Sequence, residues 1–134
     1  MKTALFIDDD EHYLYIIQRL KKRGLIPNLK EIITALDGKI ALDYIIEHID
    51  KELPDSIFVD INMPVMDGHT FLTHFNELRN KYKVLEKVVP IAVVTSSTSE
   101  RDKEKIDSIN FVKDYLVKDI DMIKLAEKIN ESLA

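Results

Sequence analysis

Three aspartates in succession, Asp8-Asp9-Asp10, follow a short apolar run near the start of the chain. Asp60 interrupts another apolar run, with Ile57, Phe58 and Val59 before it and Ile61 after it. A carboxylate in such company is costly to bury unless something cationic meets it. Carboxylates crowded together also raise one another's pKa, unless a divalent ion neutralises them. Oxygen ligation by one or two carboxylates, with waters and room for a phosphate oxygen, suits magnesium. Thr95 and Ser96 add a hydroxyl pair, and Lys118 adds an ammonium group. Each of these residues has a plainer reading as well. An acidic triplet can be a solvated helix start, Thr95 a β-branched strand residue, Lys118 a surface lysine, and Tyr115 a half-buried aromatic. Joint placement decides between the two kinds of reading, and that depends on the elements that carry them.

Apolar periodicity divides the chain into five strand-plus-helix units. Residues 4–7 read as a first strand ending at Asp8. From Glu11, Leu14, Ile17 and Leu20 recur at helical spacing, and Gly24 stands where a helix end would be capped. Residues 31–36 read as the second strand, and Ile40, Ala41, Tyr44 and Ile45 mark a second helix that stops before Pro54. Residues 56–61 form a nearly continuous apolar run, expected of a strand covered on both faces. Phe71, Leu72, Phe75 and Leu78 stripe a third helix, and the lysine-rich connection 80–89 reads as a helix end plus a surface loop. Residues 90–94 are a fourth buried strand, 96–109 a helix with a weak apolar face, and 111–117 the fifth strand. Met122, Leu125, Ile129 and Leu133 outline the last helix. This alternation predicts an α/β fold: a doubly wound, five-stranded parallel sheet of order 2-1-3-4-5 with five helices, flavodoxin-like.

In such sheets ligands bind beyond the carboxyl ends of the strands. Asp8 to Asp10 follow strand one, Asp60 closes strand three, Thr95 and Ser96 follow strand four, and Lys118 follows strand five. All the polar exceptions therefore meet on one sheet edge. Met63 and Met66, flanking Pro64, are expected to pack beneath the loop after strand three, and Gly68 to allow a tight backbone at the third helix.

Composition narrows the chemistry further. The net charge of -5 disfavours a grip on nucleic-acid phosphates. The absence of cysteine excludes disulfides, thiolate zinc sites and a cysteine nucleophile. The three glycines form no phosphate cradle, so Walker-type or dinucleotide binding is disfavoured. His12, His48, His69 and His74 have no ligand spacing, which argues against a transition-metal site. The N-terminal apolar run is too short for a signal peptide or a membrane span, so a cytoplasmic protein is expected. The 134 residues fit one domain.

Phe6-Ile7-Asp8-Asp9-Asp10, Val59-Asp60-Ile61-Asn62-Met63-Pro64-Val65-Met66-Asp67-Gly68, Val94-Thr95-Ser96 and Tyr115-Leu116-Val117-Lys118 resemble, in that order, the receiver domains of two-component response regulators. The resemblance covers the whole chain. It implies a CheY-like, stand-alone receiver over residues 1–134 with no output domain. It makes Asp60 the phosphoacceptor and places magnesium on Asp8, Asp9, Asp60 and the backbone carbonyl of Asn62. Lys118 would pair with the phosphoryl oxygens, Thr95 would offer them its hydroxyl, and Tyr115 would follow Thr95 in the switch. Such a protein is a phosphoacceptor that assists its own phosphorylation and dephosphorylation, rather than an enzyme. The implied partners are a histidine kinase or histidine phosphotransfer protein and a downstream protein, with output either by contact through the fourth helix, fifth strand and fifth helix or by onward phosphotransfer. A monomer or weak dimer is expected, with no nucleic acid and no membrane.

One position departs from the family pattern. Asp119 stands where a proline, often cis, commonly follows the lysine. A cis bond before a non-proline residue costs about 2.5–4 kcal/mol, so a trans Lys118-Asp119 bond is expected, with Asp119 as cap or first-turn acid of the last helix. The rival reading is a haloacid-dehalogenase-type phosphatase with Asp8 as nucleophile. It lacks the Thr or Val expected after the second aspartate, lacks a cap domain, and leaves Asp60 without a task.

Overall fold

A computed structural model describes residues 1–63, 65–94, 104, 112–118 and 121–134. The helix expected over 96–109, the Thr95-Ser96 pair and the Lys118-Asp119 bond lie outside those residues. Strands β1 (Lys2–Ile7), β2 (Leu29–Ala35), β3 (Ser56–Asp60), β4 (Val89–Val94) and β5 (Asp114–Val117) form one sheet of order 2-1-3-4-5. Every pairing is parallel. Helices α1 (Glu11–Lys22), α2 (Gly38–Glu47), α3 (Gly68–Lys81) and α4 (Met122–Ser132) are described, α4 being the last helix. The expected α/β order is therefore the observed one.

Strand alternation feeds two cores, one on each face. Ala4 and Phe6 of β1 and Phe58 of β3 join Leu14, Ile17 and Leu20 of α1 with Leu125 and Ile129 of α4. Leu5, Ile7, Ile57 and Val59 point the other way, onto Ala41 and Ile45 of α2 and Phe71, Leu72 and Phe75 of α3. All five residues of β3 are buried, as a continuous apolar run covered twice must be. Phe6 and Phe58 are register partners, and their rings stack 4.6 Å apart. That pair fixes β1 against β3 immediately behind the sheet edge where the aspartates emerge.

Helix α1 ends as its glycine suggests. Gly24 has φ 77, its N–H donates to the Lys21 carbonyl, and the Leu25 N–H reaches back to Leu20. These two bonds make a Schellman cap, closed by contact of Leu25 with the core that holds Leu20. The other end of α1 is capped by Asp10, whose carboxylate accepts from the His12 and Tyr13 amides. Asp10 thus serves the helix, as expected of the third acid in the triplet.

Three expectations are corrected. The 80–89 connection is not merely a surface loop: residues Lys83–Lys87 form a 3-10 turn, and Leu85 and Val88 are buried under α3. Strand β5 begins at Asp114 instead of residue 111, because pairing with β4 starts at Ile91 and Asp114. The cap of the last helix is Asp121, which accepts from the Ile123 and Lys124 amides, and not Asp119. Among the described residues, no helix is long and apolar enough to cross a membrane.

Candidate phosphoacceptor site

Register alone brings the first two carboxylates together. Ile7 pairs with Val59, so the next residues, Asp8 and Asp60, leave neighbouring parallel strands side by side, about 4.8 Å apart. Each stands two residues beyond a stacked phenylalanine, so both side chains share the α1 face. The ladder continues past each strand end. The Asp8 N–H donates to the Ala35 carbonyl at 3.0 Å, the Ile61 N–H to Val93 at 3.2 Å, and the Lys118 N–H to Val94 at 2.7 Å. The polar residues therefore hang from backbone that is still part of the sheet.

Asp8, Asp9 and Asp60 each offer a carboxylate oxygen within 4.8 Å of the others, with Asp8 and Asp60 buried and Asp9 exposed. Asp8 Oδ1 accepts from the Asp10 amide at 2.9 Å, and Asp60 Oδ1 from the Asn62 amide at 3.0 Å. The two buried carboxylates are thus oriented by the same local device, an amide two residues ahead. Their other oxygens face one ammonium group: Lys118 Nζ is 2.8 Å from Asp8 Oδ2 and 3.5 Å from Asp60 Oδ2.

Burial pushes the Asp8 carboxyl up to about 6, against the pull of Lys118 and the Asp10 amide, while the Asp60 charge adds to the rise. Burial likewise raises Asp60, opposed by the Asn62 amide and Lys118. For Lys118 burial works downward, but the contact with Asp8 and the charge of Asp60 win, and its pKa is raised. Three carboxylates face one ammonium, so the fully ionised cluster carries two excess negative charges. Asp8 Oδ2 is buried without a properly angled hydrogen bond; its contact with Lys118 is an ion pair. A hard divalent cation fits both facts, since it would neutralise the excess and satisfy that oxygen.

The loop after β3 is shaped to leave this arrangement undisturbed. Met63 is buried in the α2–α3 core, and Met66 lies against Gly38 at the start of α2. Gly68 rests on the strand that carries Asp60: a Cβ there would stand 2.5 Å from Ile61 Cα and 2.8 Å from the Asp60 carbonyl oxygen. Its amide donates to the Ile61 carbonyl at 3.1 Å. Close approach, not an unusual φ, is what this glycine permits.

The sequence-predicted residues Asp8, Asp9, Asp60 and Lys118 come together, with Asn62 beside them through its backbone. Thr95 lies outside the described residues. Tyr115 sits on β5 opposite Ala92, with 36% of its surface exposed. No histidine of the described residues joins the acidic cluster. Sequence reasoning passed over Tyr13 of α1, whose ring centre lies 4.4 Å from Lys118 Nζ. It shares the buried stripe of α1 with Ile17 and Leu20, where periodicity alone marks no role beyond core.

The response regulator receiver domain model matches residues 4–130, and the chain belongs to that family. Receivers are phosphorylation-controlled switches, and this chain is one by family. It is 29% identical over 129 residues to the probable methanogenesis regulatory protein FilR2 of Methanothrix harundinacea, covering 92% of this chain and 77% of that protein. It is 32% identical to the transcriptional regulatory protein PrrA of Mycobacterium tuberculosis over 97% of its own length, and it spans 49% of PrrA. Among solved structures, the chemotaxis response regulator CheY4 of Vibrio cholerae superposes with a TM-score of 0.70 at 25% identity, covering 100% of this chain and 99% of that one. A two-component response regulator from Cytophaga hutchinsonii gives a TM-score of 0.78 at 21% identity, over 98% and 95% of the two chains, a likeness of fold. None of these comparisons supports the haloacid-dehalogenase reading.

Proposed function

We propose that Asp60 is the phosphoacceptor of this receiver and that Asp8, Asp9, Asp60 and the Asn62 carbonyl hold magnesium. The observation that carries the reading is the cluster of three carboxylates within 4.8 Å, with Lys118 spanning Asp8 and Asp60. Asp60 Oδ1 is held by the Asn62 amide, which leaves Oδ2 as the oxygen presented to a donor. That oxygen forms the new bond to phosphorus, while the bond from phosphorus to the donor's imidazole nitrogen or acetyl oxygen breaks. Bound magnesium supplies charge neutralisation for the transferring group. Lys118, a compact mobile cation already 3.5 Å from Asp60 Oδ2, then follows the phosphoryl oxygens. The same residues assist loss of the phosphoryl group to water. Thr95 offers its hydroxyl to the phosphoryl group, and Tyr115 follows Thr95.

The donor is a histidine kinase or histidine phosphotransfer protein in the cytoplasm, and the signal leaves by contact with a downstream protein or by onward phosphotransfer. Incubation with magnesium and acetyl phosphate, followed by intact mass, tests the assignment. One added phosphoryl group, lost in Asp60→Asn, is the expected result. Labelling that persists in Asp60→Asn, or rapid turnover of general phosphate esters dependent on Asp8, would overturn it.

A further inference from the structure

Tyr13 has no task in the account above, yet it lies in the first turn of α1 beside the carboxylates. It is 6% exposed, and its hydroxyl has no hydrogen-bond partner among the described residues. Burial, then the negative charges of Asp8 and Asp60, hold that phenol above its usual range, so it stays neutral. An orphaned buried hydroxyl is unfavourable, and leucine or isoleucine would fill the stripe without it. The hydroxyl therefore does not explain an aromatic here. The ring does: Lys118 Nζ stands 4.4 Å from its centroid, on a side chain only 17% exposed.

We propose that the face of Tyr13 is the platform that positions Lys118 for phosphoryl transfer, which makes Tyr13 a positioning residue acting through that ammonium. The inference rests on the reading of Asp60 as phosphoacceptor. Lysine is a flexible point charge on a four-carbon stem, and in this site two kinds of attraction hold it. One is the pair of carboxylates, Asp8 at 2.8 Å and Asp60 at 3.5 Å. The other is the negative face of the ring, which attracts a desolvated cation most strongly. A divalent cation drawn to Asp8 competes with Lys118 for the same carboxylate. The ring attraction is not open to that competition. Tyr13 thus keeps the ammonium over the site under the conditions in which transfer occurs, when Asp8 is engaged elsewhere.

Four forms of the full chain test this: wild type, Tyr13→Phe, Tyr13→Leu, and pentafluorophenylalanine at position 13, which keeps ring size and reverses the quadrupole. Two quantities are read, the rate of labelling by acetyl phosphate with magnesium and the NMR shift of the Lys118 ε-methylene protons. In wild type and Tyr13→Phe the ring current moves those protons upfield, and labelling agrees within about twofold. Tyr13→Leu and the fluorinated form lose the upfield shift, and their labelling slows by about 2- to 30-fold. Should Tyr13→Leu fail to fold, the fluorinated form against Tyr13→Phe decides. Wild-type rates in both non-platform forms would overturn the proposal, as would a Tyr13→Phe as slow as Tyr13→Leu, which would put the role in the hydroxyl. A wild type that takes no label fails the phosphoacceptor reading instead, and the Lys118 shift then still decides whether the platform exists.

Discussion

Asp8 is where the demands of the fold and of the site conflict most directly, and neutralising it gives a measurable test. Its carboxyl is 2% exposed and stands at about 6, against 3.8 for an ordinary aspartate. The folded protein holds this proton to higher pH than the unfolded chain does. Stability from the protonated form is therefore full below 3.8, falls as pH rises through 6, and is absent at pH 7. At 1.36 kcal/mol for each tenfold change in proton affinity, the ionised group costs the metal-free fold about 3 kcal/mol at neutral pH. Asp8→Asn removes that cost, which is already net of the ion pair with Lys118, so a gain of about 3 kcal/mol is expected. Urea unfolding with a chelator present measures it. The gap between variant and wild type should be widest near pH 7 and shrink toward pH 4. Magnesium should close most of that gap, adding about 2.7 kcal/mol to wild type at a hundredfold excess over its dissociation constant and much less to the variant. A variant less stable than wild type at pH 7 without metal, or a gap that ignores pH, would refute this electrostatic account.

Further tests separate the remaining roles. Asp9→Ala should abolish magnesium-dependent labelling in the intact-mass assay, whereas Asp10→Ala should leave labelling nearly unchanged and cost about 1 kcal/mol in urea unfolding through the lost α1 cap; equal loss of label in both would mean the acid pair is misassigned. Thr95→Ala should still accept the phosphoryl group but bind a partner less tightly in the phosphate-mimic state, since one hydrogen bond to a charged group contributes about 1.5–3 kcal/mol while a full two-state shift needs about 5.5; unchanged partner affinity by calorimetry would sink that coupling. Gly68→Ala should lower stability by about 1–3 kcal/mol and slow labelling as well, because the new methyl displaces the backbone of Asp60 and Ile61. Gly24→Ala meets nothing within 4 Å but sits at φ 77, so it should cost about 1–2 kcal/mol and leave labelling alone; loss of label there would contradict the division between the two glycines.

The parts of this molecule that could be read in advance are those where one chemical signal dominates. Asp60 was legible because a carboxylate after three apolar residues has no bland explanation at a strand end. Asp8 and Lys118 followed once strand alternation fixed which ends share an edge. Gly24 stood where the helical stripe stopped, and only the left-handed region suits a Schellman cap there. The misses have the opposite character. Leu85 and Val88 are buried but lie among Lys81, Lys83 and Lys87, so the local composition spoke for solvent while tertiary packing decided otherwise. Asp119 is the acid expected to cap the last helix, but the extended backbone that a cap requires falls at Asp121, with φ -97 and ψ 113. Tyr13 was hidden by its periodicity, because an aromatic on an inward stripe reads as core whatever lies over its ring.

The site is also built so that its strain has a single outlet. Asp8 and Asp60 are fixed at their Oδ1 atoms by amides two residues ahead, and at their backbones by ladder bonds on either side. Neither can rotate away from the other without losing a hydrogen bond in a buried setting. Gly68 closes the route by which the backbone of Asp60 could retreat. Lys118 is different: its amide is anchored to Val94, but its ammonium is held by contacts of 2.8, 3.5 and 4.4 Å rather than by a rigid frame. A change of charge at Asp60 must therefore be answered first by Lys118, just past the end of β5, and not by the aspartates. That places the responsive charge of the site just past β5, the strand through which the family resemblance expects the signal to leave.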